Sequence, residues 1–416
     1  MAKIRINLAL FLAYAVFAML LNSVGAVILQ SINTFGAAPK AAALLDGFKD
    51  IPIAVASFLV ASFLPRLGYR RGVALGLAAV AGACCAMPLL ASFWMTRLMF
   101  VIVGVSFAVV KIAVYSSVGL IARDARDHAA RISYLEGVFM LGILAGAQLF
   151  GLFVNPKAPA SLGWLNVYWL LAAVAAAAAA LMWSARLDER GAVRPSATLA
   201  DNLKTAPRLM RQSFMGAYLA AAFLYVLIEQ SFGTWLPTFN NKVLHLPSDM
   251  SIQAMSLYAA AIMLGRFGGG AVLRRFAWIG VLSACTAAAA VVVLIVLPMA
   301  AGGHAAPTSW ADAPLAAFLL PMIGLFLGPI YPAINSVILS TLPTEDHSAM
   351  TGLIVIFSAL GGTLGSFITG RLFGYVGGQF AFYLSLAPLT LLLLALVLLQ
   401  RTLARRPALG LAQAAA

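Results

Sequence analysis

Long apolar segments alternate with short polar ones along the whole chain. Each apolar run holds about 20 residues or more and ends at charged or turn-forming residues. A helix of about 20 residues crosses the ~30 Å hydrocarbon core of a bilayer, so each run has the length of a transmembrane helix. The pattern therefore predicts twelve membrane-spanning helices. They are expected close to residues 7–32, 41–64, 73–92, 97–121, 134–154, 165–184, 213–239, 251–272, 277–299, 314–340, 349–371 and 380–400.

The longest polar segment divides the predicted spans into two groups of six. This segment, residues 185–212, carries nine charged side chains. We therefore expect an all-α membrane protein made of two pseudo-symmetric six-helix halves, at residues 1–184 and 213–400. The polar segment joins the halves, and a tail follows at 401–416. An even number of spans places both termini on the same side of the membrane.

The basic residues indicate which side that is. Outside the spans or at their ends, 19 lysines and arginines lie in the tails and in the loops after spans 2, 4, 6 and 8, whereas five lie on the opposite side. Lysine and arginine are enriched in cytoplasmic loops. We therefore expect a multi-pass protein of a bacterial inner membrane with both termini and the 185–212 loop in the cytoplasm. The loops at 155–164 and 300–313 are expected to face the periplasm.

Three of the predicted spans contain pairs of glycines four residues apart. Small residues at this spacing allow neighbouring helix backbones to approach closely, which predicts a packing role. The pairs are Gly142 and Gly146, Gly265 and Gly269, and Gly361 and Gly365.

Composition and charge exclude several other classes of protein. The chain is 63% hydrophobic and only 10% charged, whereas soluble chains are about 25% charged. Its net charge of +14 is spread over separate short loops without a stacking platform, which does not indicate nucleic-acid binding. Cys84, Cys85 and Cys285 lie in apolar runs, so neither a disulfide framework nor a metal site is expected. No loop carries a catalytic grouping, and neither an enzyme nor a cofactor is expected.

One loop motif occurs at equivalent places in the two halves, and further short motifs lie in the spans of the second half. The loop after span 2 reads ASFLPRLGYRR at 61–71, and the loop after span 8 carries the shorter copy GAVLRR at 270–275. Span 7 contains FLYVLIEQSFGTW at 223–235, which places a glutamate inside the membrane. Span 8 adds GRF at 265–267, and span 10 adds a Tyr-Pro pair at 331–332.

These motifs resemble those of the major facilitator superfamily, and more closely its fucose, glucose and galactose permease branch. The loop segment is similar to the superfamily signature Gly-x-x-x-Asp-Arg-x-Gly-x-Arg-Arg. The resemblance implies a monomeric transporter for a small molecule that works by alternating access. The phosphate-binding motif Gly-x-x-x-x-Gly-Lys-Ser/Thr is absent from the sequence, so an ion or substrate gradient must supply the energy.

At three positions the chain departs from the sugar permeases that it resembles. Lys111 stands where the permeases have a substrate-binding glutamate, and Phe139 stands where they have a sugar-binding asparagine. Asn22 is kept from their Leu-Asn-Asp motif, but Ser23 replaces the aspartate that carries their proton. The fold and alternating access therefore carry over, whereas sugar as a substrate does not.

Six charged residues lie inside the predicted spans and away from their ends. Each charge near the bilayer centre costs about 3 kcal/mol on insertion scales, so these residues are expected to pair or to line a water-filled cavity. Three are acidic and three are basic, and Lys49 is expected to face away from the two acids in its span or to point to the periplasmic interface. The residues are Asp46, Lys49, Asp50, Lys111, Glu229 and Arg266.

The motifs and the membrane charges together give a set of candidate site residues. Those expected to bind substrate are Lys111, Tyr115, Phe139, Glu229, Asn22 and Tyr331. Those expected to couple transport to protons are Glu229, Asp50 and Asp46. Those expected at the cytoplasmic gate are Arg66, Gly68, Arg70, Arg71, Arg266 and Glu136.

A lysine in place of a sugar-binding carboxylate favours a small, polar, anionic metabolite as the substrate. The alternative is a static ion pair of Lys111 with Asp50 or Glu229. Proton coupling is the default expectation, and a uniporter or an exchanger is the alternative. Two alternative functions remain. One is an efflux antiporter for drugs or metabolites. The other is a sensor or assembly factor that has a transporter fold but no turnover.

Overall fold

A computed structural model describes residues 2–121, 125–185, 189, 207–300, 307–343 and 346–404. For some residues inside the helices it describes the backbone but not the side chain. The described residues are helical or lie in short connections, and no β-strand occurs among them. The chain divides into two compact units, Met1–Leu199 and Ala200–Ala416.

The first unit contains six long helical segments, the first of them broken. Its helices are α1 (Ala2–Asn22), α2 (Val24–Phe35), α3 (Pro39–Ala42), α4 (Leu45–Leu67), α5 (Tyr69–Leu90), α6 (Phe93–Ile121), α7 (Ala125–Leu152) and α8 (Val167–Ser184), with a short 3-10 helix at Leu162–Asn166. Within this unit α1 packs against α7 and α8, α4 packs against α6, and α5 packs against α6 and α8.

The second unit repeats this plan with more interruptions. Its helices are α9 (Met215–Lys242), α10 (Ser248–Gln253), α11 (Met255–Leu273), α12 (Trp278–Met299), α13 (Ala316–Leu319), α14 (Ile323–Leu327), α15 (Ile330–Ser340), α16 (His347–Val376), α17 (Gly378–Tyr383) and α18 (Leu386–Ala404), with a short 3-10 helix at Leu320–Met322. Within this unit α9 packs against α16 and α18, and α11 packs against α14.

The helices confirm the predicted all-α membrane fold. Ten helical segments of the described residues are long and apolar enough to cross a membrane. The helices α4 and α7 occupy the two remaining predicted spans, and α7 contains the apolar stretch Gly137–Leu152. All twelve predicted spans are therefore helical.

Two spans are less regular than the apolar pattern predicts. The first breaks at Ser23, whose hydroxyl donates a 2.8 Å hydrogen bond to the Leu20 carbonyl, and such back-bonding bends helices. The tenth is divided into α13, a 3-10 turn, α14 and α15. Pro321 lies in the 3-10 turn and Pro329 lies between α14 and α15. Proline has no N–H to donate and clashes with the preceding turn, so each one interrupts the helix.

The glycine pairs lie where helices approach each other, as predicted. A Cβ on Gly142 of α7 would lie 2.7 Å from the Ala18 side chain of α1. A Cβ on Gly265 of α11 would lie 2.2 Å from the carbonyl oxygen of Leu325 in α14. These distances are shorter than real carbon contacts, so only glycine fits at these crossings.

Candidate functional site

The first polar cluster of the N-terminal unit lies at the start of α4. The ammonium of Lys49 lies 3.1 Å from the Asp46 carboxylate and 3.5 Å from the Asp50 carboxylate. Lys49 is 6% exposed and Asp46 is fully buried. The expectation that Lys49 faces away from the acids, or points to the membrane surface, is therefore wrong. Asp46 lies one helical turn before Lys49 on a neighbouring face, and a flexible lysine stem reaches both acids.

Lys49 also connects this cluster to the break in the first span. Its ammonium donates a 3.4 Å hydrogen bond to the carbonyl of Leu21, next to the last residue of α1. The carbonyl end of a helix carries partial negative charge, so a cation is stabilised there. Two carboxylates and one ammonium leave the cluster with one net negative charge when all three are ionised. The Asp50 side chain is 16% exposed, against 0% for Asp46, so Asp50 is the more accessible of the two acids.

A second cluster surrounds Lys111 in α6. Its ammonium lies 5.6 Å from the centre of the Phe107 ring, a distance at which a cation is attracted by an aromatic face. The Phe107 ring lies 6.0 Å from Phe139 and 5.5 Å from Phe17, and Phe139 contacts the edge of Tyr14 at 5.9 Å. The structure thus brings Lys111 and Phe139, both expected to bind substrate, to one aromatic cluster.

Lys111 is exposed although it lies well inside a membrane span. Val105 marks another exposed face of the same helix. At 3.6 residues per turn the two side chains point about 120° apart around the helix axis. Gly104 lies on the same side of α6 as Lys111, and this side packs against α4. A Cβ added to Gly104 would lie 2.5 Å from the carbonyl oxygen of Lys49. A lysine facing lipid at this depth costs about 3 kcal/mol, so its exposure favours an aqueous environment.

Asp50 and Glu229 are the two acids that could form a static ion pair with Lys111, and each lies against another cation. Asp50 lies against Lys49, and Glu229 lies against Arg266. Among the residues with described side chains, Lys111 forms no salt bridge.

The main polar cluster of the C-terminal unit is centred on Glu229 of α9. Its Oε1 atom accepts a 2.9 Å hydrogen bond from the hydroxyl of Tyr225 and lies 3.6 Å from Nη2 of Arg266 in α11. The hydroxyl of Tyr258 donates a 3.0 Å hydrogen bond to the backbone carbonyl of Glu229. Two tyrosines and one arginine therefore position this glutamate.

Tyr331 joins the same cluster through ring stacking. Its ring stacks on Tyr225 with a centroid distance of 5.5 Å and an angle of 21°. Its hydroxyl shares a 2.9 Å hydrogen bond with the Ser358 hydroxyl. The structure thus brings together Glu229 and Tyr331, two of the predicted substrate-binding residues, and adds Arg266, which the sequence assigned to the gate.

Sequence reasoning missed four residues that the structure brings to attention. Tyr258 and Ser358 are polar side chains in spans, and buried tyrosine hydroxyls usually need a partner. Glu189 appeared in the sequence only as one charge of the central loop. Gln30 of α2 is 1% exposed, and neither of its amide atoms has a hydrogen-bond partner within the described part of the chain. Gln30 could have been singled out from the sequence, because its amide lies inside an apolar span.

The predicted gate loop is fixed to the end of α8. The Glu189 carboxylate accepts hydrogen bonds from the backbone N–H groups of Tyr69, at 3.0 Å, and Arg70, at 2.9 Å. The Arg70 guanidinium donates a 2.8 Å hydrogen bond to the carbonyl of Ala185. Gly68 has a φ of +91°, a conformation that favours glycine. In the second unit, Arg208 forms a salt bridge with Asp346, the residue before α16.

The remaining candidates are placed as follows. Asn22 donates a 2.9 Å hydrogen bond to the carbonyl of Ala18 in its own helix, and Arg71 is exposed. The side chains of Arg66, Tyr115 and Glu136 lie outside the described residues. In the part of the chain that was described, no group of three or more His, Cys, Asp or Glu residues is arranged to hold a metal ion.

The chain is similar in sequence to one protein family. Residues 8–321 match the family model of the Major Facilitator Superfamily. No curated protein matches the chain.

Solved transporter structures have the same fold. A bacterial homologue of the human lysosomal transporter Spinster has a TM-score of 0.76 at 16% identity, covering 98% of this chain and 99% of that chain. The nucleoside transporter NupG has a TM-score of 0.73 at 13% identity, covering 96% and 99%. A variant of the E. coli fucose:proton symporter FucP has a TM-score of 0.57 at 16% identity, covering 94% and 97%. At these identities the likeness shows the fold alone.

Proposed function

The chain belongs to the Major Facilitator Superfamily, and from this membership we propose that it is a secondary transporter for a small, polar, anionic metabolite. It works by alternating access in a bacterial inner membrane, with both termini in the cytoplasm, and it couples transport to protons. It acts as a monomer. The observation that carries the proposal is Lys111, an exposed lysine inside a membrane span without a salt bridge to any described carboxylate.

Lys111 is proposed as the anchor of the substrate's negative charge. Its ammonium is accessible and attracts a group of negative charge. The Phe107 and Phe139 rings beside it supply apolar contact for the carbon skeleton. Tyr115 is kept as a further substrate contact because it lies one helical turn from Lys111, and Asn22 is kept on the strength of the resemblance.

Glu229 and the acids of α4 are proposed to carry protons. Glu229 lies inside a membrane span, where its Oε1 atom accepts a hydrogen bond from Tyr225 and lies near Arg266, and ionisable side chains at such positions serve proton relays in many transporters. Asp46 and Asp50 share one ammonium, so this group can accept one proton and become neutral. The description of FucP as a fucose:proton symporter supports coupling by analogy.

The loop between α4 and α5 is proposed as the cytoplasmic gate. The contacts of Arg70 with α8 support this role because they join the loop to the end of another helix. Gly68, Arg71 and Arg66 are assigned to the gate with it from the loop signature. Glu136 is assigned to it because it begins the fifth span near the cytoplasm, where it can pair with a loop arginine.

An efflux antiporter for amphipathic compounds is the second candidate. The aromatic rings around Lys111 favour it because they form an apolar wall. An amphipathic cation would be repelled by the lysine, so this candidate predicts that Lys111→Gln improves its transport. A sensor without turnover predicts no flux of any compound.

Transport by the purified protein in proteoliposomes tests these alternatives. The panel consists of gluconate, lactate and succinate, the matched amides, glucose and amphipathic cations, each with and without a pH gradient. We expect uptake of at least one carboxylate, roughly tenfold loss of that uptake in Lys111→Gln, and partial retention in Lys111→Arg, because the guanidinium keeps the charge. Equal carboxylate uptake by wild type and Lys111→Gln would contradict the anchor.

The double variant distinguishes an anchor from a static ion pair. If Lys111 only neutralised Asp50, the variant Lys111→Gln/Asp50→Asn would recover both stability and transport. We expect no recovery of carboxylate transport. The thermal stability of each variant is measured on the same preparations.

A further inference from the structure

The sequence of α6 contains the same pair of residues twice. A phenylalanine stands four residues before a basic residue at Phe93 and Arg97, and again at Phe107 and Lys111. Residues four apart on a helix lie on one face, about one turn from each other. The central guanidinium carbon of Arg97 lies 4.4 Å from the centre of the Phe93 ring, and the Lys111 ammonium lies 5.6 Å from the centre of the Phe107 ring. At both distances a cation is attracted by an aromatic face.

The two pairs lie along one face of α6. Arg97 and Lys111 are 14 residues apart, which corresponds to about 21 Å along the helix axis and to a rotation of about 40° around it. Gly104 lies midway between them on the same face, where α6 packs against α4. Arg97 lies at the end of the span that the distribution of basic residues assigns to the periplasm, and Lys111 lies well inside the span. One face of this helix therefore carries one cation near the membrane surface and another at depth.

Arg97 has no acidic partner within the described part of the chain. It forms no salt bridge there, and the two acids at the start of α4, Asp46 and Asp50, lie against Lys49. Arg97 is partly exposed, and its Nε atom is buried without a hydrogen bond. Neither of its Nη atoms is buried in this way, and neither is engaged by a described residue. A ligand can therefore reach the Nη end of the guanidinium.

The start of α6 holds this arginine in place. The Ser92 hydroxyl accepts a 3.2 Å hydrogen bond from the backbone N–H of Met95, the contact by which a serine caps the start of a helix. Besides Phe93, the Phe48 ring of α4 lies near the guanidinium, with its centre 5.9 Å from the guanidinium carbon. These rings provide no oxygen acceptor, so the N–H groups on the Nη atoms stay available for an anion. Arg97 is therefore a positioned cation with unused donors.

We propose that Arg97 is an outer anion-binding group, which captures the carboxylate of the substrate from the periplasm before it reaches Lys111. This inference rests on the proposed anionic substrate and extends it to the entrance of the protein. Positive charge at an entrance raises the local concentration of an anion. Arg97 therefore acts on capture at low substrate concentration and not on turnover at saturation. The phosphate of a lipid head group is the alternative occupant that the test distinguishes.

The test measures the initial rate of carboxylate uptake by intact cells that produce the full-length protein, so that substrate arrives from the periplasmic side. The carboxylate is the one among gluconate, lactate and succinate that wild type transports fastest. The variants are Arg97→Gln, Arg97→Lys and Lys111→Gln. Arg371→Gln is the matched control, because Arg371 is an exposed arginine over an aromatic ring, 5.5 Å from the centre of Tyr375, at the expected periplasmic end of the eleventh span. Thermal unfolding of each purified variant shows that it is folded.

Arg97→Gln is expected to raise the KM for the carboxylate roughly tenfold and to leave the maximal rate within about twofold of wild type, because steering acts at low concentration. Arg97→Lys is expected to keep most of the affinity, because it keeps the charge. High salt is expected to reduce the difference between Arg97→Gln and wild type. An unchanged KM in Arg97→Gln, an equal rise in Arg371→Gln, or a lower maximal rate without a change in KM would overturn the proposal.

Purified protein in vesicles separates the substrate from a lipid as the ligand of Arg97. KM is measured in proteoliposomes of phosphatidylcholine alone and of phosphatidylcholine with phosphatidylglycerol. We expect Arg97→Gln to raise KM in both. A rise that occurs only with phosphatidylglycerol would assign Arg97 to a lipid head group and overturn the proposal.

Lys111→Gln separates this proposal from the proposed function. If Lys111→Gln loses uptake and Arg97→Gln keeps the wild-type KM, the anchor at Lys111 stands and the role of Arg97 is refuted. If Arg97→Gln raises KM and Lys111→Gln matches wild type, capture at Arg97 stands and the anchor is refuted. If wild type takes up no carboxylate, both are refuted.

Discussion

Five of the six ionisable residues predicted within the spans lie against a charge of opposite sign. Lys49 contacts Asp46 and Asp50, and Arg266 contacts Glu229. Since each isolated charge costs about 3 kcal/mol near the bilayer centre, such pairing is required for insertion. Lys111 is the exception among the side chains described. The Phe107 ring offsets part of its cost, and water or a ligand is needed for the rest, which is why we propose Lys111 as the substrate anchor.

Lys49 provides a prediction about stability. Lys49→Met leaves the buried Asp46 and the partly buried Asp50 without their cation and is expected to reduce the free energy of unfolding by about 3 kcal/mol. Adding Asp46→Asn is expected to restore part of this loss. Thermal unfolding of the purified variants measures both effects. Lys40→Met is the control, because Lys40 is exposed, and a result equal to this control would show that the Lys49 cluster does not support the fold.

At the scale of helices, the apolar runs located all twelve spans but not their interruptions. The break at Ser23 and the fragments around Pro321 depend on local hydrogen bonding that hydropathy does not record. Glycine spacing predicted close crossings, and the structure identifies Leu325 as the partner at Gly265. A partner on another helix cannot be read from the spacing alone.

The sequence identified individual residues of the candidate site but not the contacts between them. The family resemblance identified Lys111 and Phe139, and the Phe107 ring that connects them was not identified. The contact between Glu229 and Arg266 was missed because depth estimates placed the arginine toward the cytoplasm. Such estimates follow the backbone, whereas a long arginine side chain reaches several ångströms along the helix axis.

The crossing of α11 and α14 provides a prediction at the same scale. Gly265→Ala places a Cβ 2.2 Å from the Leu325 carbonyl oxygen, so we expect a loss of about 1–3 kcal/mol in the free energy of unfolding from overpacking. Gly268→Ala is the control in the same helix, because nothing lies within 4 Å of its added Cβ. Alanine favours helix over glycine, so this control is expected to be neutral or slightly stabilising. Equal behaviour of the two variants in thermal unfolding would contradict the close crossing.

At the scale of the whole molecule, each unit carries its own set of charges in the membrane. The first contains the Asp46, Lys49 and Asp50 cluster together with Lys111, and the second contains the Glu229 and Arg266 pair. The Glu229 and Arg266 pair is neutral. The first unit instead combines the net negative Asp46, Lys49 and Asp50 cluster with Lys111, a separate cation. A carrier of anions with protons needs both kinds of group, one that holds the anion and one that takes up the proton.

The orientation of the chain is a further prediction at this scale. The distribution of basic residues places the 185–212 loop in the cytoplasm and the 300–313 loop in the periplasm. Ser213 precedes the helix that follows the first loop, and Ser309 lies in the second. Both serines are exposed. Single cysteines at these positions, in a protein whose three native cysteines are replaced by alanine, are expected to react oppositely with a membrane-impermeant thiol reagent. In intact cells Ser309→Cys should be labelled and Ser213→Cys should not. Labelling of both, or of Ser213→Cys alone, would refute the orientation.

Accumulation against a gradient tests the central claim, coupled transport of an anion and a proton, most directly. Proteoliposomes are given an alkaline interior and the carboxylate from the panel that is transported fastest, with protein-free liposomes as the control for leakage. Wild type is expected to accumulate the carboxylate above its external concentration, because protons enter with it. Glu229→Gln is expected to lose this accumulation and to keep exchange of internal for external substrate. Accumulation by Glu229→Gln at the wild-type level, or no response of wild type to the pH gradient, would contradict the account.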